Sequence, residues 1–474
     1  MKKLLFVIAC ALLSCVAPQS TPSVPNILFI LADDMGYGDL TCYNPTSSIQ
    51  TPHLDQLAAE GMRFTDAHAP AAWCVPSRFG LLTGTYPFRN SRSYQEGLMS
   101  DQFPTVATVL KAAGYQTAMV GKWHQGIVNE KNPPANQDLI NGPIDNGFDY
   151  FFGIPASLDI PPYYYIKNKR PVALPTDSIG PSEGWGPAPG KWKIQGPFWR
   201  EGKIAPAYRH EEVLGQFFDE ADAYLKQTKQ DPFFLYVALP APHTPWLPDG
   251  EHQGSSRAGD YGDFVKQVDD HIGALLQSLE SQGLAENTVV IFSSDNGPVW
   301  YPEDEQRFAH RATGPLAGMK GDALEGGHRM PFIVRWPGKV KAASTQDAMI
   351  CFTDFLASCA ELSQQSLAAG VGEDSKSFVP LMLNPELAGS RQELIVQTTG
   401  KKHMIRQGDW KLIQSKGSGG FWDRYDPGYA DSNPYEGRLY NLKEDLGEQN
   451  NLYGEQPERV AELKEALLKQ MRGL

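Results

Sequence analysis

The chain has 474 residues, enough for a large domain with a second, smaller one beside it. Its composition, 41% hydrophobic and 20% charged, lacks the apolar depletion that keeps a chain disordered. A net charge of -13 excludes a general binder of nucleic-acid phosphates, yet leaves room for a small basic pocket that takes one anion.

The first residues, Met1-Lys2-Lys3 and then the apolar run from Leu4 to Leu13, have the basic start and short apolar core of an export signal. That run is too short to span a bilayer. Leu12-Leu13-Ser14-Cys15 resembles a bacterial lipobox, which points to lipidation of Cys15 rather than of Cys10, whose preceding apolar stretch is shorter. Residues 1–22 then form a signal and tether, and the mature protein is expected in a bacterial periplasm or at the cell surface. An ordinary signal peptide is the alternative. No later run reads as transmembrane.

Several apolar runs read as buried strands, and each ends in polar residues that strand packing does not require. Asn26 to Ala32 leads into Asp33 and Asp34, and Tyr115 to Val120 leads into Gly121, Lys122, Trp123 and His124. Phe233 to Leu239 leads into Pro240, Ala241, Pro242 and His243, and Thr288 to Phe292 leads into Asp295 and Asn296. Between them lie helices: one capped and started by Thr51-Pro52 and stopped at Gly61, one from Pro104 to Ala113, and one from Tyr261 to Gly283. Alternating strands and helices predict an α/β fold, a large, mostly parallel sheet sandwiched by helices. Ligands of such sheets bind beyond the carboxyl ends of the strands, so the polar tails should converge.

Residues 155 to 210 form a long irregular insertion rich in Pro, Gly and aromatics, including Tyr163, Tyr164, Tyr165, Trp185, Trp192 and Trp199. Composition shifts again near residue 385. Beyond it Leu394 to Thr398, His403 to Arg406 and Trp410 to Ile413 read as short strands, and Pro457 to Met471 as a helix packed on them. The expected organisation is a catalytic α/β domain over 23–385 and an antiparallel α+β subdomain over 386–474.

Four cysteines follow the signal region, too few for a disulfide framework. With residues 351 to 360 helical, Cys351 and Cys359 stand about 12 Å apart along the axis, too far to bridge. They read as small core residues. Cys74 differs, because it opens Cys74-Val75-Pro76-Ser77-Arg78, followed by Leu82-Thr83-Gly84. Pro76 suits a helical first turn, which puts Cys74 just before a helix N-terminus, where free N–H groups and the helix dipole favour an anion. Asp33, Asp34, Asp295 and Asn296 offer oxygen ligands only, a set for a hard cation rather than zinc.

These segments resemble the formylglycine-dependent sulfatases of the alkaline-phosphatase-like superfamily. The resemblance extends over Asp33-Asp34, Cys74 to Gly84, Gly121 to His124, Pro242-His243, Ser294 to Gly297, Gly318 to Gly321 and Gly326 to Arg329, and is greatest to arylsulfatase A-like and N-acetylgalactosamine-6-sulfatase-like members. It implies a sulfuric ester hydrolase whose Cys74 is oxidised to formylglycine by a maturation enzyme. It further implies calcium, with magnesium as the alternative, held by Asp33, Asp34, Asp295, Asn296 and modified Cys74. One hydroxyl of the hydrated aldehyde would attack sulfur, with His243 and Lys320 as proton donor and charge stabiliser. His124 would then deprotonate the second hydroxyl to expel sulfate, while Arg78 and Lys122 neutralise charge. His310, Arg311, Glu325, His328, Arg329 and Trp422 are weaker substrate-binding candidates. A sulfated carbohydrate, galacto-configured, is the expected substrate, since the insertion's aromatics and the Gly417 to Trp422 loop can cover sugar faces. The rival readings are a phosphate or phosphonate ester hydrolase of the same superfamily and an inactive sulfated-glycan-binding homologue.

Overall fold

The computed structural model describes residues 24–94, 97–184, 194–228 and 232–472. Cys15 and the signal segment, with Trp185 and Trp192, lie outside the described residues. In chain order the strands are β1 (Asn26–Asp33), β2 (Met62–His68), β3 (Gln116–Lys122), β4 (Tyr150–Ile154), β5 (Ile166–Lys167), β6 (Arg170–Pro171), β7 (Asp177–Ile179) and β8 (Gly202–Ile204). They continue with β9 (Phe233–Pro242), β10 (Thr288–Ser294), β11 (Arg329–Arg335), β12 (Ser344–Gln346), β13 (Ile350–Cys351), β14 (Glu393–Gln397), β15 (His403–Gln407), β16 (Trp410–Ile413) and β17 (Arg438–Asn441).

The main sheet runs β12-β2-β11-β10-β1-β9-β3-β4-β5-β6, with β13 also paired to β2. Its centre, β10-β1-β9-β3-β4, is parallel throughout. β11 turns antiparallel against both β10 and β2. All eight residues of β1 are buried, which is why the segment reads as a near-continuous apolar run. Phe29 at its middle packs edge-on to Tyr236 at 6.1 Å and against Phe355 at 4.6 Å. Each such fully buried side chain contributes roughly 1.5–3 kcal/mol.

Two groups of helices cover the sheet. On one side α1 (Pro52–Glu60) and α4 (Val213–Gln227) both pack on α5 (Gly259–Ser281), while α2 (Cys74–Thr83), α3 (Val106–Ala112) and the helix Asp354–Leu362 pack among themselves. Along α5 the buried Phe264, Val268, Ile272, Leu275 and Leu279 recur at the helical period. Thr51 does sit at the N-cap of α1, but its side chain makes no capping bond. Asp269 of α5 instead accepts the N–H groups of His53 and Leu54 at 3.1 and 2.8 Å. A tertiary partner thus supplies the cap that local sequence suggested.

Strands β14 to β17 form a separate antiparallel sheet, and the C-terminal helix Pro457–Arg472 buries Val460, Leu463 and Leu467 in the same cluster as that sheet's apolar residues. The expected helix over 351–360 starts only at Asp354. Cys351 belongs to β13, its N–H donating to the Asp354 carboxylate at 2.9 Å. Cys351 and Cys359 are free and buried. No helix among the described residues is long and apolar enough to cross a membrane.

Candidate active site

The four strands whose polar tails stood out, β10, β1, β9 and β3, are consecutive neighbours in the sheet and share one direction. Their tails therefore meet at one edge, as open α/β sheets arrange their ligand sites. Asp33 ends β1, and Asp34 turns out of the strand with φ +64°. Gly121, at φ +124°, brings β3 so near β9 that a Cβ there would stand 1.9 Å from the Ala238 carbonyl oxygen; the next residue is Lys122. His124, at φ +54°, turns back and donates its N–H to the Pro155 carbonyl at 2.9 Å. Positive φ at Asp34 and His124 is the backbone strain that recurs where side chains must be aimed. Cys74 is the first residue of α2, one position further into the helix than its sequence suggests.

Around Cys74 the side chains interlock. Its thiol lies 3.5 Å from Asp33 Oδ1 and accepts from Lys320 Nζ at 3.3 Å. Lys320 also reaches Asp34 Oδ1 at 2.5 Å, which Asn296 Nδ2 approaches at 2.6 Å. Lys122 Nζ donates to Asp33 Oδ2 at 2.6 Å. Arg78, one turn along α2 from Cys74, places Nε and Nη2 at 2.9 and 2.8 Å from Asp295 Oδ2. Ser77 donates to the Asp295 carbonyl at 2.5 Å, and Asp34 donates its N–H to Asp295 Oδ1 at 3.2 Å. His243 Nε2 stands 3.7 Å from Asp34 Oδ2. Every one of these side chains is nearly or fully buried.

Burial and charge set the protonation of this cluster. Burial penalises ionised Asp33, but Lys122, His243, Arg78 and Lys320 outweigh it and hold that carboxyl well below the usual range. Asp295 goes the other way: burial and the charge of Asp33 push it up to about 6. Burial also opposes ionised Lys320, yet Asp34 and Cys74 hold its ammonium above the ordinary lysine value. The Cys74 thiol is pushed up by burial against the pull of Lys122 and Lys320. Burial, then Lys122 and Arg78, hold His124 well below its normal value; burial and Lys320 bring His243 down to about 4. Both shifts favour the neutral imidazole.

The family model described as Sulfatase matches residues 25–364. The chain belongs to the sulfatase family. It is 35% identical to the N-acetylgalactosamine-6-O-sulfatase of Bacteroides thetaiotaomicron, covering 94% of this chain and 92% of that one. To human arylsulfatase A it is also 35% identical, covering 94% and 86%. A solved Bacteroides thetaiotaomicron 6S-sulfatase, described with the metabolism of multiple glycosaminoglycans, superposes with a TM-score of 0.83 at 33% identity, covering 94% of this chain and 99% of that one. This sulfatase is accordingly a sulfuric ester hydrolase with the alkaline-phosphatase-like fold.

The residues present suit a hard divalent cation. Asp33, Asp34 and Asp295 bring three carboxylates, and the Asn296 side-chain oxygen is buried with no hydrogen-bond partner, an acceptor left for a cation. Ligand atoms of Asp33, Asp34, Cys74 and His243 all lie within 4.8 Å of one another. Three cationic side chains, Arg78, Lys122 and Lys320, balance the three carboxylates, so a divalent cation would leave positive charge over for an anionic ester.

The remaining candidates of the sulfatase sequence go elsewhere. His310 is buried against Asp39 at 2.8 Å, and Tyr261 donates to the other oxygen of that carboxylate at 2.5 Å. Glu325, His328 and Arg329 join Asp66, His68, Arg406, Lys411 and Glu448 in a charge-balanced network between the two sheets. Their partners lie in that network rather than in the Cys74 cluster. Arg311 is exposed beside Glu305, and with Trp422 it lines a cavity of about 330 Å³ between the two parts of the chain. Tyr163, Tyr164 and Tyr165 are core residues; Tyr165 stacks on Phe152 at 5.4 Å.

Sequence reasoning missed Ser157 and Asp159. Ser157 Oγ and Asp159 Oδ1 are buried without hydrogen-bond partners, and Asp159 Oδ1 lies 4.0 Å from His243 Nδ1. Both follow β4, whose end adjoins that of β3. The signal was available: Phe151 to Ile154 is one more apolar run ending in polar residues.

Proposed function

We propose that this sulfatase removes sulfate from a carbohydrate ester, using residue 74 after oxidation of Cys74 to formylglycine by a maturation enzyme that acts on the Cys74 to Arg78 motif. The observation that carries the reading is the placement of Cys74 Sγ in the first turn of α2, between the Lys320 ammonium and Asp33. An aldehyde hydrate at that position supplies one hydroxyl to take the sulfate and a second to release it, which a single serine hydroxyl cannot do. A divalent cation, calcium or magnesium, held by Asp33, Asp34, Asp295 and Asn296 supplies Lewis-acid polarisation of the reacting oxygens.

The chain's own groups do the rest. Lys320, Lys122 and Arg78 oppose the negative charge of the ester and of the transition state in a site that water barely reaches. His243 directs Nε2 at the cluster and delivers a proton to the departing alcohol oxygen. An arriving sulfate ester brings a negative charge that favours the imidazolium against the burial that depresses it. His124, neutral and with Nδ1 buried and unpartnered, takes the proton whose loss lets sulfate depart.

The carbohydrate assignment rests on relatives named N-acetylgalactosamine-6-sulfatases, one of which spans nearly the whole chain. A galacto-configured sugar 6-sulfate is the preferred substrate. The proposed catalytic unit is 23–385, with 386–474 packed against it. Lipid on Cys15 holds the enzyme at a bacterial envelope, which detergent-dependent extraction lost in Cys15→Ser would test. The activity is tested by giving matured protein 4-nitrophenyl sulfate, 4-nitrophenyl phosphate and a panel of sulfated saccharides side by side. Sulfate esters, with a galacto-configured 6-sulfate foremost, should be hydrolysed; preference for the phosphate ester would overturn the reading.

A further inference from the structure

We propose that Asp159 is a positioning residue for His243, holding the Nδ1 side of the imidazole so that Nε2 is presented to the leaving alcohol. This rests on the reading of His243 as proton donor given above. Asp159 is buried, and its two carboxylate oxygens are used differently. Oδ2 is ion-paired with Arg200, whereas Oδ1 has no hydrogen-bond partner and stands 4.0 Å from His243 Nδ1. An unsatisfied buried carboxylate oxygen is costly, and such atoms call for an explanation.

The neighbouring geometry fixes the tautomer. His243 Nδ1 lies 2.6 Å from the Thr244 carbonyl oxygen, which can only accept, so Nδ1 carries a hydrogen. The transferable proton of the imidazolium is then on Nε2, the nitrogen that faces Asp34 and the reaction centre. Nδ1–H thus has two acceptors beside it, the Thr244 carbonyl at 2.6 Å and Asp159 Oδ1 at 4.0 Å, and the proposal has the imidazolium shared between them. This is the base-and-orienter arrangement in which a buried carboxylate sets ring orientation and stabilises the imidazolium.

Asp159 is itself anchored. Arg200 donates Nη1 to the Asp159 carbonyl at 3.0 Å as well as to its carboxylate, and its own N–H to the same carbonyl at 3.2 Å. Buried Tyr163 donates its hydroxyl to the Arg200 carbonyl at 2.7 Å. The irregular insertion thus reaches the chemistry through Asp159. In the step served, a nucleophilic oxygen at residue 74 bonds to sulfur as the bond from sulfur to the alcohol oxygen breaks. The freed electron pair stays on that oxygen and takes the proton from Nε2, and His243 is left neutral with hydrogen on Nδ1.

A proton donor matters most for a poor leaving group, which gives the test. kcat/KM, which reports events up to departure of the alcohol, is measured for wild type and Asp159→Asn on N-acetylgalactosamine 6-sulfate and on 4-nitrophenyl sulfate. The variant should lose about 30-fold on the sugar ester and less than about threefold on the aryl ester, the range seen when an orienting partner is removed. Equal losses on the two esters would mark a merely structural role and overturn the proposal, as would no loss on the sugar ester. Should Asp159→Asn fail to fold, Arg200→Ala, which changes a half-exposed side chain and releases the carboxylate, should show a smaller split in the same direction, and no split there counts equally against it. Wild type that hydrolyses neither ester would defeat the sulfatase reading itself, a separate result from wild-type turnover with no split in the variants.

Discussion

Replacing Lys320 with methionine keeps the length of the side chain and deletes its charge. In the folded protein the ammonium has two partners, Asp34 Oδ1 at 2.5 Å and Cys74 Sγ at 3.3 Å, and only 5% of the residue is exposed. Two effects follow. Removing one preorganised charge-stabilising donor from a water-poor site costs on the order of 10²- to 10³-fold in turnover, or about 3–4 kcal/mol. Asp34 also loses its cation and keeps the Asn296 amide as its close donor at 2.6 Å, so its carboxyl, already raised by burial and by Asp33, rises further. The assay is kcat/KM on 4-nitrophenyl sulfate, divided by the fraction of residue 74 converted to aldehyde as measured by peptide mass spectrometry. That division separates lost chemistry from lost maturation. Corrected activity should fall at least 100-fold; a fall of less than threefold would refute the role given to the Lys320 ammonium.

Three further outcomes are expected. Asp295→Ala removes both a carboxylate and the partner of Arg78, and should abolish turnover, while chelation should lower wild-type activity reversibly; fully active protein shown metal-free by elemental analysis would contradict the cation site. Lys411→Met removes the ammonium between Glu325 and Glu448, each 2.9 Å from Nζ and all three buried; Glu325 keeps Arg329 at 3.3 Å but Glu448 loses its ion-pair partner, so the change should cost about 3–5 kcal/mol, with a second change, Glu448→Gln, recovering part of it, and denaturant unfolding that shifts by under 1 kcal/mol would count against this. Burial pushes Asp322 from its usual 3.8 up to about 7, so the folded state holds that proton more tightly than the unfolded one. Its contribution is fully present below about pH 3.8 and is lost as pH rises through about 7, on the order of 4 kcal/mol, and Asp322→Asn should flatten that part of the stability profile.

The sequence showed most where apolar runs end abruptly in charge. Asp33, Lys122, His243 and Asp295 are far apart in the chain, but each ends a strand or directly follows one, and four parallel neighbours can only bring their tails together. The short C-terminal strands were equally plain, because Gly-containing turns punctuate them, though β17, which follows a long connection with two short helices, was not seen. Sequence pattern failed where tertiary contacts decide. The run of three tyrosines suggested a sugar-binding wall, but residues 163–165 bury their rings, and the Tyr164 hydroxyl is spent on the Glu130 carbonyl at 3.0 Å. Glu325 and His328 stand close to the signature lysine in sequence, yet point into the seam between the sheets. Nothing in a linear pattern says which side of a loop a polar residue takes. Asp159 was legible by the first rule, because it follows the apolar run Phe151 to Ile154, but it was passed over as part of the irregular insertion.

The central claim is that residue 74 carries the chemistry as formylglycine, and one correlation tests it most directly. Protein is produced with and without the maturation enzyme, the occupancy of aldehyde or its hydrate at residue 74 is quantified by peptide mass spectrometry, and each preparation is assayed on the same sulfate ester. Specific activity should rise in proportion to occupancy and vanish at zero occupancy. Full turnover by protein whose residue 74 is entirely unmodified cysteine would contradict the account.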